Sequence, residues 1–131
     1  MLIEDKPHCT IEYDPDVKCV IQTWRGFAGS KAFRASLEKT VEVFKTHDVT
    51  SIISNTRDSG VVDEEDAQWV PTKINPILIR NGLKKIAFIM PANVFAQWSI
   101  DHFLRKAEKQ PLEAMRFDTL EQAQAWIREQ G

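Results

Sequence analysis

Two hydrophobic periodicities alternate along the chain and define the predicted elements. Runs rich in β-branched and aromatic residues predict strands, whereas apolar residues spaced three to four positions apart predict amphipathic helices. In the segment 29–48, for example, Phe33, Leu37 and Val41 fall on one face of a helix. The predicted strands are 9–13, 17–24, 50–55, 84–91 and 113–117. The predicted helices fall in 29–48, 63–82, 93–109 and 119–127.

The order of these elements, ββαβαβαβα, predicts an α/β fold. The first two strands are joined by Asp-Pro-Asp, which suits a turn, so they form an antiparallel hairpin. The later strands alternate singly with helices, and such connections are right-handed crossovers between parallel strands. We therefore expect one α/β domain over residues 1–131, with a mainly parallel sheet and an antiparallel N-terminal hairpin.

Residues with known preferences mark the ends of the predicted helices. Asp66 lies three residues after Asp63, which resembles a capping box. Gly82 supplies a left-handed C-terminal cap for the same helix. Pro71 and Pro76 both lie inside this helix and should kink or split it, since each removes a backbone donor. The predicted N-caps are Ser30, Asp63 and Thr119.

Composition and charge narrow the class of protein. The 131 residues are 43% hydrophobic and 27% charged, which suits one compact domain with its own core. The net charge is −2 and the basic residues are dispersed, which argues against a nucleic-acid partner. We find no basic leader with an apolar stretch behind it, and no apolar run approaching ~18 residues. The sequence thus predicts a cytoplasmic protein without a transmembrane segment.

The two cysteines, Cys9 and Cys19, flank the predicted hairpin. That position allows them to face each other across it. In a chain without an export signal we expect reduced core thiols rather than a disulfide.

An ordered series of short matches resembles a group of short bacterial STAS/SEC14-type proteins described as SpoIIAA-like. The matching stretches are WRGF (24–27), NTRDSGVV (55–62), EDAQW (65–69), GLKKIAF (82–88) and PANVF (91–95). The resemblance covers nearly the whole chain and implies the fold, without supplying a specific activity. It implies two classes of role: a regulatory protein-binding domain, as in anti-sigma-factor antagonists, or a lipid-binding lobe of SEC14 type.

Ser59 is the candidate regulatory residue. In signalling STAS proteins, a serine that precedes a glycine after the third strand is phosphorylated by a partner kinase, and Ser59 before Gly60 is similar. In those proteins the helix starts at the serine, whereas here Val61 and Val62 separate Ser59 from the predicted cap. The alternative is that Asp-Ser-Gly is a turn in which Gly60 takes a positive φ. An enzymatic nucleophile is not indicated, since the Gly-x-Ser-x-Gly elbow is lacking.

The acidic stretch around Ser59 is compatible with two interpretations, a metal site or the start of a helix. Carboxylates suit Mg²⁺ or Ca²⁺, but their spacing here does not match a calcium loop, and acids are favoured at a helix N-terminus by the dipole alone. His8, His47 and His102 lie too far apart in sequence to predict a zinc site. We therefore expect no metal and no other cofactor.

The predicted partner-binding loop contains Arg57, Asp58, Gly60, Asp63 and Glu64.

Tryptophans supply the remaining candidate contacts. With neighbouring phenylalanines they either fill the core, line a pocket for an apolar ligand, or form a dimer patch. Trp98 falls at the edge of its helix's apolar stripe, so we expect it to be exposed. The candidate ligand or dimer contacts are Trp24, Phe95 and Trp98. The leading hypothesis is a non-catalytic domain that binds a protein partner or itself, and the alternative is a carrier of a small hydrophobic or lipid-like ligand.

Overall fold

A computed structural model describes residues 1–129. Its strands are β1 Leu2–Lys6, β2 Cys9–Asp14, β3 Cys19–Gly26, β4 Ser51–Ser59, β5 Lys85–Ile89 and β6 Glu113–Phe117. Its α-helices are α1 Ser30–Thr46, α2 Glu64–Trp69, α3 Asn75–Arg80, α4 Val94–Ala107 and α5 Leu120–Arg128. A π-helical segment, Val70–Ile74, joins α2 to α3.

The six strands form one sheet in which their order follows the chain, from β1 to β6. Strands β1, β2 and β3 pair antiparallel, and β3 to β6 pair parallel. The predicted α/β class, with its antiparallel hairpin and alternating parallel strands and helices, is confirmed. The structure adds β1, an edge strand that the hydrophobic pattern did not predict.

The helices cover the two faces of the sheet unequally. Right-handed crossovers between successive neighbouring strands place their helices on the same side. Accordingly α1, α2, α3 and α4 all contribute to one large core, built on β2, β3, β4 and β5. Helix α5 follows the last strand and contributes to a smaller core with Ile53, Ala87 and Ile89. The sheet therefore separates two cores.

The cysteines do not face each other across the hairpin, although their positions in the sequence allow it. Cys9 lies opposite Trp24, and Cys19 lies opposite Asp14. Cys9 belongs to the large core and Cys19 to the small one. Both are free and buried, as expected of core thiols. Burial raises the pKa of Cys9 to about 12 and that of Cys19 to about 11, because a thiolate would be poorly solvated in either core.

One of the predicted N-caps is wrong, and a second is right but lacks its predicted capping box. The N-cap of α1 is Gly29 rather than Ser30. Asp63 is the N-cap of α2, but its side chain makes no capping hydrogen bond, so the predicted capping box does not form. The prediction for α5 is confirmed, because Thr119 forms a capping box with Gln122.

The helix 63–82 is interrupted in its middle and ends as predicted. The interruption is the π-helical segment, which contains Pro71, and Pro76 follows at the start of α3. A proline lacks the backbone donor of a regular α-helix, and its ring clashes with the preceding turn. A π-helical turn accommodates both the missing hydrogen bond and the ring. Gly82 ends α3 with φ +113°, and a Cβ atom there would lie 2.9 Å from the carbonyl oxygen of Val49. Glycine is therefore required at this position.

Candidate functional site

A cavity lies between the sheet and the helices α1 to α4. It has a volume of about 80 Å³, room for about six water-sized spheres. Most of its lining is apolar, which is the usual character of a pocket for a small organic ligand. The large apolar side chains on the lining are Trp24, Phe33, Leu37, Ile52, Ile74, Leu78, Ile86, Phe88, Ile100 and Phe103.

The cavity opens at the carboxyl edge of the parallel strands. Among its described lining residues, the exposed ones are Gly26, Val61 and Asp63. These residues end or follow strands β3 and β4, at the edge where open α/β sheets commonly bind ligands. We call this group of three residues the mouth.

Backbone hydrogen bonds hold the segments around the mouth together. The Gly60 amide donates to the Gly26 carbonyl at 2.9 Å, and the Ala92 amide donates to the Arg57 carbonyl at 3.1 Å. Gly60 does not take a positive φ, contrary to the expectation from turn chemistry. A Cβ atom at Gly60 would instead come within 3.3 Å of the Gly26 carbonyl oxygen, so glycine allows the two chain segments to approach.

Several polar groups on the cavity lining already have hydrogen-bond partners within the protein. The Trp24 indole Nε1 donates to Gln22 Oε1 at 3.3 Å, and Gln22 Nε2 donates to Thr40 Oγ1 at 2.8 Å. Thr56 Oγ1 donates to the Ile89 carbonyl at 2.6 Å. Since buried polar groups are costly unless hydrogen-bonded, these pairs let polar residues line an apolar cavity.

Asp66 differs from these residues because it brings a carboxylate to the lining. It is 1% exposed, and its Oδ1 atom accepts hydrogen bonds from Ser30 Oγ at 2.8 Å and from Arg34 Nε at 2.7 Å. The Arg34 guanidinium also lies 4.6 Å from the centre of the Trp69 ring. Arg34 therefore supplies the counter-charge that a buried carboxylate requires, and Trp69 holds the guanidinium in place.

The structure brings part of the predicted partner-binding loop to the mouth. Ser59 is the last residue of β4 rather than a loop residue, is half-buried, and lines the cavity. Its hydroxyl donates to the Gly60 carbonyl at 3.0 Å. The exposed members of the predicted loop are Arg57, Asp58, Asp63 and Glu64. Of these, Asp63 lines the cavity.

The predicted aromatic contacts separate into two groups. Trp24 is 6% exposed and lines the cavity, so it is available to a ligand but not to a dimer interface. Phe95 and Trp98 lie on α4 and are 74% and 46% exposed. The prediction that Trp98 is exposed is confirmed. Phe27, after β3, is also exposed, and neither it nor Phe95 lines the cavity.

His102 lies on α4 beside Trp98, with the two rings stacked at 5.6 Å between centroids. Its Nε2 atom is buried without a hydrogen-bond partner among the described residues. Desolvation lowers the pKa of His102, and the neighbouring charges of Lys106 and Arg105 lower it further. Its imidazole is thus held towards the neutral form.

No group of three or more His, Cys, Asp or Glu side chains within residues 1–129 is arranged to hold a metal ion. In the same part of the chain, no helix is both long enough and apolar enough to cross a membrane.

Sequence reasoning missed the Arg34–Asp66 pair. The sequence predicts a capping box for Asp66 and does not indicate that Arg34 is its partner. A signal was present: Asp66, Val70 and Ile74 are spaced four residues apart, and this spacing puts Asp66 on an apolar helix face. All three residues line the cavity.

Fold and geometry together define an α/β domain with an apolar cavity that opens at the carboxyl ends of parallel strands. No protein-family model matches the chain, and no curated protein matches it.

Proposed function

We propose that this chain is a non-catalytic binding protein for a small apolar ligand, which it holds in the cavity between the sheet and α1–α4. The observation that supports this proposal is the cavity itself, whose lining is largely apolar side chains. Its opening at a defined edge of the sheet gives a ligand a way in. Of the two roles that the family resemblance implies, the lipid-binding lobe of SEC14 type favours the same class of ligand.

The test is ligand-dependent stabilisation of the folded protein. Urea unfolding is measured with and without a medium-chain alcohol, 1-octanol, as the apolar probe. A ligand that binds only the folded state, present at 100 times its Kd, adds about 2.7 kcal/mol to the free energy of unfolding. We expect a stabilisation that grows with the logarithm of octanol concentration.

A variant with a filled cavity connects this stabilisation to the site. Ala96 is 3% exposed and lines the cavity, so Ala96→Leu should occupy space that the ligand needs and abolish the stabilisation. The matched control is Ala125→Leu, which makes the same change on the exposed side of α5. If octanol stabilises neither the wild type nor the control, or stabilises all three proteins equally, the proposed function is wrong.

A second candidate function is binding of a protein partner or of a second copy of this chain. The observation that favours it is the exposure of three large aromatic side chains, Phe27, Phe95 and Trp98. Regulation by phosphorylation of Ser59 belongs to this candidate. Sedimentation velocity of the wild type and of a Phe95→Ser/Trp98→Ser double variant tests self-association. A wild type that sediments as a monomer at every concentration, as the double variant does, counts against the homodimer.

A further inference from the structure

The carboxylate of Asp66 has one oxygen engaged and one free. Both internal donors, Ser30 Oγ and Arg34 Nε, reach Oδ1. Within residues 1–129, Oδ2 accepts no hydrogen bond. Among the described residues, the solvent-inaccessible polar side-chain atoms without a hydrogen-bond partner belong to Ser99, Asp101 and His102. Oδ2 of Asp66 has no partner and is not one of these atoms, so it is accessible. Because Asp66 is 1% exposed and lines the cavity, that oxygen is reached from the cavity.

An unengaged carboxylate oxygen in this setting favours a ligand with a hydrogen-bond donor. A carboxylate accepts about four hydrogen bonds through its two oxygens and donates none when ionised. A buried acceptor left without a donor is unfavourable, and hydrogen bonds to charged groups are among the stronger ones. A ligand hydroxyl that enters the cavity therefore gains at Asp66 an interaction that an ether or a ketone cannot make.

The charge balance favours a neutral donor over an ammonium group. Arg34 already neutralises Asp66 through a contact of 2.7 Å. An ammonium head would add an uncompensated positive charge to a largely apolar cavity, where isolated charges are poorly stabilised. A hydroxyl completes the hydrogen bonding of Oδ2 without changing the net charge.

The shape of the cavity indicates the rest of the ligand. Along α4 its lining extends from Ala96 to Ala107, about 16 Å at 1.5 Å per residue. A volume of about 80 Å³ spread over that length makes a narrow crevice. It suits one unbranched alkyl chain better than a bulky ring system. Asp66 lies on α2, one helical turn from Asp63 at the mouth, so the polar head of the ligand would sit near the opening.

We propose that the ligand is a single-chain alcohol whose hydroxyl donates to Oδ2 of Asp66 and whose alkyl chain occupies the crevice beneath α4. This inference rests on the proposed function, and it specifies the head group that the cavity selects. Asp66 acts here as a residue that determines specificity.

Replacing Asp66 by asparagine should reverse the preference for the head group. Ser30 and Arg34 both donate to the position of Oδ1, so the amide oxygen of Asn takes that position. The amide nitrogen then takes the position of Oδ2 and presents a donor to the cavity. The variant should prefer a ligand that accepts a hydrogen bond.

The test compares 1-octanol with 2-octanone, which have the same number of carbons and differ in the head group. Kd values are measured by titration calorimetry for the wild type, for Asp66→Asn, and for the matched control Asp16→Asn, whose side chain is exposed and does not line the cavity. We expect the wild type and the control to prefer octanol about tenfold or more. We expect Asp66→Asn to prefer 2-octanone.

The outcomes separate this inference from the proposed function. If both probes bind the wild type equally well and Asp66→Asn leaves their ratio unchanged, the choice of head group is refuted while the cavity remains a ligand site. If neither probe binds up to its solubility, the proposed function fails, and this inference fails with it. Should Asp66→Asn not fold, the wild-type ratio decides alone. Tighter binding of octylammonium than of octanol would overturn the neutral head group.

Discussion

The buried pair of Arg34 and Asp66 predicts an unequal response to loss of either partner. Arg34→Met keeps an apolar stem that can pack against Trp69 but removes the guanidinium. It leaves the Asp66 carboxylate, whose side chain is 2% exposed, with Ser30 as its remaining donor. Breaking a buried ion pair in this way typically costs about 3–5 kcal/mol, because a charge is left buried without compensation. For a chain of this size that corresponds to a fall in Tm of roughly 10–20 °C.

The reverse substitution should cost less. Asp66→Asn keeps an acceptor for Ser30 and Arg34, and the Arg34 side chain, at 33% exposure, can be partly hydrated. Replacing a charged acceptor by a neutral one costs about 1 kcal/mol per hydrogen bond. The double variant Arg34→Met/Asp66→Asn leaves no buried charge, so it should be more stable than Arg34→Met alone. Urea unfolding of the four proteins gives the coupling free energy directly.

An exposed pair on the same helix serves as the control. Lys39 and Glu42 approach to 3.4 Å, with side chains 33% and 64% exposed. Exposed pairs contribute at most about 1 kcal/mol, so Lys39→Met should change the stability little. If Arg34→Met costs no more than Lys39→Met, or if the double variant is the least stable of the four proteins, the buried carboxylate does not depend on Arg34 and the reasoning is refuted.

Three further predictions concern other parts of the chain. Gly82→Ala should lower the free energy of unfolding in urea by about 2 kcal/mol or more, since a side chain at positive φ is strained and this one also meets a carbonyl oxygen. At Gly29 a Cβ atom meets nothing within 4 Å, so Gly29→Ala should lower the free energy of unfolding by less than about 1 kcal/mol, half the loss for Gly82→Ala. Equal losses in the two variants would contradict the requirement for glycine at position 82. With pKa values of about 12 and 11, Cys9 and Cys19 should be unreactive towards a thiol reagent at pH 8 until urea unfolds the chain; rapid labelling of the native protein would count against their burial. Ser59→Asp should weaken octanol binding by about tenfold, because it puts a charge beside an apolar cavity, whereas Ser59→Ala should not. Calorimetry checks this, and unchanged affinity in both variants would remove Ser59 from the site.

Local patterns predicted most of the fold because most of its elements bury one regular face or are buried entirely. Strand β5 is buried at all five of its residues, and the four after Lys85 form a continuous apolar run. Strand β1 escaped prediction because it is an edge strand that pairs with β2 alone and is half-exposed or exposed throughout. The polar end of β4 was missed for a related reason. Residues up to Ser59 extend the pairing with β3 although they are not apolar.

The site was less predictable because it depends on contacts between distant parts of the chain. Ser30 and Asp66 are 36 residues apart, and Arg34 and Asp66 are 32 apart. An acid in the first turn of a helix has the same local signature whether it caps the helix or points into the interior. The four-residue spacing of Asp66, Val70 and Ile74 indicates an interior position, but it does not identify the donors on α1. The mouth was partly anticipated, because the predicted partner-binding loop contains Asp63, one of the three residues of the mouth.

The arrangement of α5 affects how the chain is made. On its face of the sheet, α5 is the helix that contributes to the small core. Ile53, Ala87 and Ile89 belong to strands that precede it in the chain, so during synthesis they emerge before the helix that buries them. Exposed apolar strands of this kind favour association between chains. Until residues 120–128 are made, the large core of the nascent protein can form while the opposite face of the sheet is still exposed. During this interval that face needs protection from association with other chains.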